Sequence, residues 1–220
     1  MNTQEIMNIL WLIFEIIGTV AFAISGALLA VEKENDIFGV LFLGVTTAVG
    51  GGIMRDILTG ELPPKAFQDP VYVLIAGITS LIVFFLMYFT KGNIRKKLAM
   101  ADAVNNVFDA VGLGVFTIFG MNAAAELGHG ENLFLRLFVG MITGVGGGII
   151  RDILVREIPS VLCKRVYAVA SLIGGLFYYF LVKLGMNAGI ANFIGAASIF
   201  IIRMLASKFR WDLPKVDLDK

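Results

Sequence analysis

The sequence predicts an all-α membrane protein of seven transmembrane helices, an inverted 3+3 repeat plus a seventh helix. Three observations carry this prediction. The chain is 58% hydrophobic and 16% charged, with a mean hydropathy of +0.85, whereas soluble domains are about half apolar and about a quarter charged. Its apolar residues fall in runs of about 20, the length that crosses a bilayer. The segment "AVGGGIMRDILTGELPP" at 48–64 returns as "GVGGGIIRDILVREIP" at 144–159.

The runs give spans at 9–30, 37–59, 71–89, 101–123, 132–155, 166–185 and 189–206, with a polar tail at 207–220. The first is preceded only by Glu5, without the positive flank of a signal peptide, so it reads as a retained span. Lys and Arg set the orientation. With the N-terminus outside, the inner segments hold Lys33, Lys91, Arg95, Lys96, Lys97, Arg156, Lys164 and Arg165. The tail adds Lys208, Arg210, Lys215 and Lys220, while the outer segments hold only Lys65 and Lys183. The expected topology is therefore N-terminus out and C-terminus cytoplasmic, which requires an odd number of spans.

"FEIIGTVAFAISG" (14–26) aligns with "FDAVGLGVFTIFG" (108–120), and 41–63 aligns with 137–159 at most positions. "VYVLIAGITSLIVFF" (71–85) aligns more weakly with "VYAVASLIGGLFYYF" (166–180). Residues 9–89 and 101–185 thus form two three-helix units. Three crossings per unit make the second face the opposite way. The span at 189–206 has no counterpart.

Each mid-span glycine costs roughly 1 kcal/mol against alanine in helix propensity. Close packing explains isolated glycines such as Gly26, Gly77 and Gly195. Three in a row exceed what one helix face uses, so the second and fifth helices are expected to break at Gly50, Gly51 and Gly52 and at Gly146, Gly147 and Gly148. Irregular backbone at that depth lines a wet path or lies buried in protein. Thr47 and Thr143, just before the glycines, are path candidates whose hydroxyls can alternatively bond back into their own helices. Ser25, aligned with Phe119, is a weaker one.

Charges within spans face partners or water. Arg55 and Asp56, like Arg151 and Asp152, are adjacent, so on a helix they point about 100° apart and are expected to find partners elsewhere. Depth suggests the ion pairs Glu15–Arg55 and Asp109–Arg151, one towards each mouth of a central path. Arg136 and Arg203, near the membrane faces, are expected to snorkel.

Cys163 and His129 are each the sole residue of their type, which leaves no disulfide and no Cys/His metal site. No nucleophile–base constellation points to an enzyme, and no cofactor is implied. A net charge of +1 gives no nucleic-acid footprint. "GVGGGI" lacks the third glycine of a dinucleotide fingerprint and follows no strand.

With paired "GGGI-x-RDIL" motifs, an inverted repeat and a seventh helix, residues 9–206 resemble the TRIC family of trimeric intracellular cation channels, particularly its prokaryotic members. These are also catalogued as a duplicated-domain inner-membrane family labelled glycine transporter. The resemblance implies a homotrimer in the plasma membrane, in contact with its lipid. It also implies one hourglass pore per protomer, lined by bent second and fifth helices and conducting the monovalent cations K⁺ and Na⁺. Gly50–Gly52 and Gly146–Gly148 match the family motifs. The lysine-containing lipid motif of animal members is absent, Arg55-Asp56 standing in its place, so phosphoinositide regulation is not implied. A secondary transporter of glycine or another small neutral solute is the alternative, because inverted repeats suit alternating access equally well. A purely structural scaffold leaves the duplicated motif unexplained.

Overall fold

The computed structural model describes residues 3–90, 94–163 and 166–211, with 3–8 and 94–101 described by their backbone alone. Lys91, Lys164, Arg165, Lys215 and Lys220 lie outside the described residues, as do the side chains of Arg95, Lys96 and Lys97. The described residues are helical and contain no strand: α1 (Thr3–Glu32), α2 (Ile37–Thr59), α3 (Lys65–Gln68), α4 (Val71–Phe89), α5 (Ile94–Ala124), α6 (Leu133–Leu154), α7 (Ser160–Cys163), α8 (Ala168–Lys183) and α9 (Ala188–Phe209). α5 ends in a π-helical turn, Ala125–His129, which Gly128 closes at φ 89°.

Among the described residues, six helices are long and apolar enough to cross a membrane. The expected sixth span, 166–185, holds the shorter 16-residue apolar helix α8. At 1.5 Å per residue it reaches about 24 Å, short of the roughly 30 Å hydrocarbon core. Polar residues just ahead of the apolar runs start several helices. Asp36 accepts from the Gly39 N–H at 2.8 Å, Asn132 from Leu135 at 3.0 Å and Asn187 from Gly189 at 3.0 Å.

α1 and α5 run antiparallel, and α2 and α6 cross beside them; α4 lies on α1 and α2, and α8 on α6 and α9. Aromatic-on-glycine contacts join α1 to α5. A methyl on Gly112 would sit 2.1 Å from Phe22 Cδ1, and one on Gly18 would meet Val115 and Phe116. The Phe22 and Phe116 rings lie 5.2 Å apart between them. Leu74, Ile78, Ile82 and Leu86 of α4 stay exposed, as lipid-facing residues do.

The expected breaks are not there. α2 and α6 run as unbroken α-helix through Gly50–Gly52 and Gly146–Gly148. The glycines let the two backbones touch. A methyl on Gly51 would lie 2.1 Å from the Thr143 carbonyl oxygen, and one on Gly147 would lie 2.1 Å from that of Thr47. Gly50 faces Gly147 and Ile150, and Gly146 faces Gly51 and Met54. Packing that no larger residue permits offsets the propensity cost, and the helical hydrogen-bond ladder survives intact.

The following turns repeat closely. After α2 the left-handed position is Gly60, φ 79°; after α6 it is Arg156, φ 59°. In both, the next amide reaches back to the aspartate carbonyl, Glu61 to Asp56 at 2.8 Å and Glu157 to Asp152 at 2.9 Å. Lys33, beyond α1, pairs with Glu157 at 2.5 Å, and that hydrogen bond pushes its ammonium pKa above the ordinary value.

Candidate functional site: two charged clusters flanking a glycine crossing

Arg55 and Arg151 each follow the central glycine of their helix by four residues, which places them about 6 Å along the axis on opposite sides of the crossing. Both are buried. Contrary to the expectation that their partners lie elsewhere, each arginine curls back onto the aspartate beside it. Arg55 Nε and Nη2 lie 2.8 and 2.7 Å from Asp56 Oδ1; Arg151 Nε and Nη2 lie 2.9 and 2.8 Å from Asp152 Oδ1. The long arginine stem spans the angular gap that Cβ directions alone suggest. The second oxygen of each aspartate accepts a backbone N–H from the next short helix, Lys65 to Asp56 at 2.8 Å and Ser160 to Asp152 at 2.7 Å. The duplicated Arg-Asp pair therefore ties the end of a long helix to the start of a short one.

The pair Asp109–Arg151 forms as expected, at 2.9 Å. Arg151 Nη1 also donates to Ser25 Oγ at 2.5 Å, and Ser25 donates to Asn105 Oδ1 at 2.6 Å. Ser25, weak by sequence, thus holds a central place. α9 supplies a second arginine. Arg203 Nη2 lies 3.9 Å from Asp109 Oδ2 and donates to Asn106 Oδ1 at 3.3 Å, and its guanidinium stands 4.5 Å from the Tyr167 ring centroid. Arg203 is buried rather than snorkelling, because Asp109 and Tyr167 satisfy it inside the bundle. Arg136 is buried too: it donates to the carbonyls of Met121 and Gly130, both at 3.2 Å, and lies over Tyr179.

The expected pair Glu15–Arg55 does not form. Glu15 instead accepts the hydroxyl hydrogen of Tyr72, and Arg55 lies 5.0 Å over the Phe119 ring. Phe119 stands where the aligned half has Ser25, so an aromatic face replaces a hydroxyl next to the guanidinium. Thr47 and Thr143 are fully buried, and their hydroxyls donate to Leu43 and Val139 carbonyls, each at 2.6 Å. Their side chains face Gly26 of α1 and Gly120 of α5, while their carbonyl oxygens face the crossing. Gly52 and Gly148 look the other way: a methyl on Gly52 would find only Arg55 Nη2, at 3.8 Å, and one on Gly148 would meet the Tyr167 hydroxyl at 3.2 Å.

Sequence reasoning missed Tyr72, Tyr167, Asn105, Asn106 and Phe119. The Val-Tyr shared by the aligned third helices was the available signal for the tyrosines. No group of three His, Cys, Asp or Glu able to hold a metal occurs among the described residues. His129 belongs to the π-helical turn, and Cys163 is exposed.

A family profile described as Glycine transporter matches residues 12–88 and again 106–183. The UPF0126 inner membrane protein YadS of Escherichia coli is 40% identical over 97% of this chain and 99% of its own length. Among solved structures, a TRIC cation channel studied for the structural basis of its conductance is 39% identical, with a TM-score of 0.77, across 94% of this chain and 97% of that one. A prokaryotic TRIC channel crystallised in 0.5 M KCl is 35% identical, with a TM-score of 0.83, across 94% of this chain and all of that one.

Proposed function

This chain belongs to the duplicated-domain membrane family that takes in the UPF0126 proteins and the prokaryotic TRIC channels, and from that premise we propose that it is a monovalent cation channel of the plasma membrane. The observation that carries the reading is the likeness to TRIC cation channels along 94% of the chain. In this reading the two units form an inverted repeat, α8 completes seven crossings and the N-terminus lies outside. Each protomer of a homotrimer then holds one pathway for K⁺ and Na⁺.

The mechanism follows from the buried charges. A cation near an unneutralised arginine meets a steep barrier in a low-dielectric interior. Asp56 and Asp152 remove that barrier by closing on Arg55 and Arg151 at 2.7 and 2.8 Å. The α2–α6 crossing is closed at Gly51 and Gly147, so conduction requires the two helices to separate there. Carbonyl oxygens such as those of Thr47 and Thr143, which face the opposing glycines, then become available to a cation.

The family's description as a glycine transporter supports a second reading, a carrier for a small neutral solute. Reconstitution into lipid separates them. Discrete K⁺-selective steps, with Cl⁻ excluded, are expected. Saturable uptake of labelled glycine without current steps would replace the channel reading by the carrier.

A further inference from the structure

The acids of the two clusters are employed differently. Asp109 is held by Arg151 at 2.9 Å and faces Arg203 at 3.9 Å. Arg151 and Arg203 against Asp109 and Asp152 bring that cluster to a formal charge of zero. Across the crossing, Arg55 stands against both Asp56 and Glu15, which leaves minus one. Arg55 is already closed on Asp56, and Glu15 is turned away from it onto the Tyr72 hydroxyl. Arg55 still acts on Glu15 through space although no ion pair forms between them, and Lys65 and Asp69, at α3, act on it more weakly and with opposite signs. Glu15 is only half-buried, so its carboxylate is not sealed inside the bundle.

We propose that Glu15 draws cations to the Arg55 mouth, and that Tyr72 is the positioning residue that keeps its carboxylate off Arg55. This rests on the channel reading and adds to it an electrostatic difference between the two mouths. A single uncompensated charge at the lip of a low-dielectric funnel raises the local concentration of its counter-ion. Salt weakens the effect, because the screening length falls from about 30 Å at 0.01 M to about 3 Å at 1 M. A purely architectural role for Glu15 has no such salt signature.

The test is single-channel K⁺ conductance of the full-length protein in planar bilayers, at low and high KCl. Glu15→Gln is expected to lower conductance about threefold at ~10 mM KCl and to leave it nearly unchanged at ~1 M. Glu15→Asp keeps the charge and should keep most of the low-salt conductance. Tyr72→Phe leaves the charge count untouched yet releases Glu15 towards Arg55, and should reproduce the low-salt loss; it also serves if Glu15→Gln does not insert. Equal conductance of wild type and variants at low salt, or an equal loss at both salts, overturns the proposal while the channel stands. A wild-type protein that carries no cation current overturns the channel reading and this proposal together.

Discussion

The clusters around Arg55 and Arg151 share an arginine, an adjacent aspartate and an acid at aligned positions, yet one is more densely bonded than the other. Around Arg151, a hydroxyl (Ser25), an acid (Asp109) and a second arginine from α9 (Arg203) close a network reaching Asn105 and Asn106. Around Arg55, a phenyl ring occupies the place of that hydroxyl, no arginine among the described residues comes from a further helix, and the acid turns to Tyr72. Both clusters share the Arg-Asp clamp, and α9 adds Arg203 to one of them. The difference teaches that a repeated motif fixes the local clamp, here Arg onto Asp onto the next helix, while neighbours outside the motif decide how tightly the site is held.

The comparison can be broken by stability measurements in detergent. The largest effect is expected for Asp109→Asn, which leaves two buried guanidiniums with less countercharge and should cost about 3–5 kcal/mol. Glu15→Gln, at the aligned position, should cost about 1 kcal/mol or less, since Glu15 is half-buried and its hydrogen bond to Tyr72 is replaceable. Equal losses would mean that the two clusters are equally knitted after all.

Next come the glycines. Gly51→Ala and Gly147→Ala each drive a methyl to 2.1 Å from an opposing carbonyl, so the helices must part, at a cost of about 1–3 kcal/mol or more each. Gly148→Ala should cost less, since the Tyr167 hydroxyl can yield a few tenths of an ångström. Gly52→Ala should be neutral or stabilising, because nothing but Arg55 Nη2 lies within 4 Å. Thermal midpoints that fail to rank in this order would argue against the glycines serving the crossing. Ser25→Ala should cost about 1–2 kcal/mol by leaving Arg151 one acceptor short. The smallest effect is expected at the paired turns: Arg156→Gly relieves a left-handed backbone that Gly60 already suits, for a gain of less than about 1 kcal/mol.

Much of this was legible in the sequence. The spans read at 37–59 and 71–89 coincide with α2 and α4, because an apolar run flanked by polar or proline residues leaves the hydrogen-bonding backbone little choice in lipid. Asp109–Arg151 was legible from depth alone. The partner of Arg55 was misread because Cβ directions leave out the reach of the arginine stem onto the adjacent aspartate, whereas the broken helices and the snorkelling of Arg136 and Arg203 were misread for one shared reason. Each depends on what a neighbouring helix presents at that depth, and a single helix's sequence carries no trace of it. Glycine lowers helix propensity when it stands alone, but it permits an approach that a facing glycine turns into stabilising contact.

From the chain alone came the membrane, the duplicated unit and the residues at its charged ends. These follow from local quantities: run length, backbone hydrogen bonding and the cost of charge in hydrocarbon. Only the packed bundle decided that α2 and α6 touch through glycine rather than break at it, and that Asp109 meets Arg151 and Arg203 while Glu15 meets Tyr72. Those outcomes depend on distances of a few ångströms between groups far apart in sequence, and such distances exist only once the helices have packed.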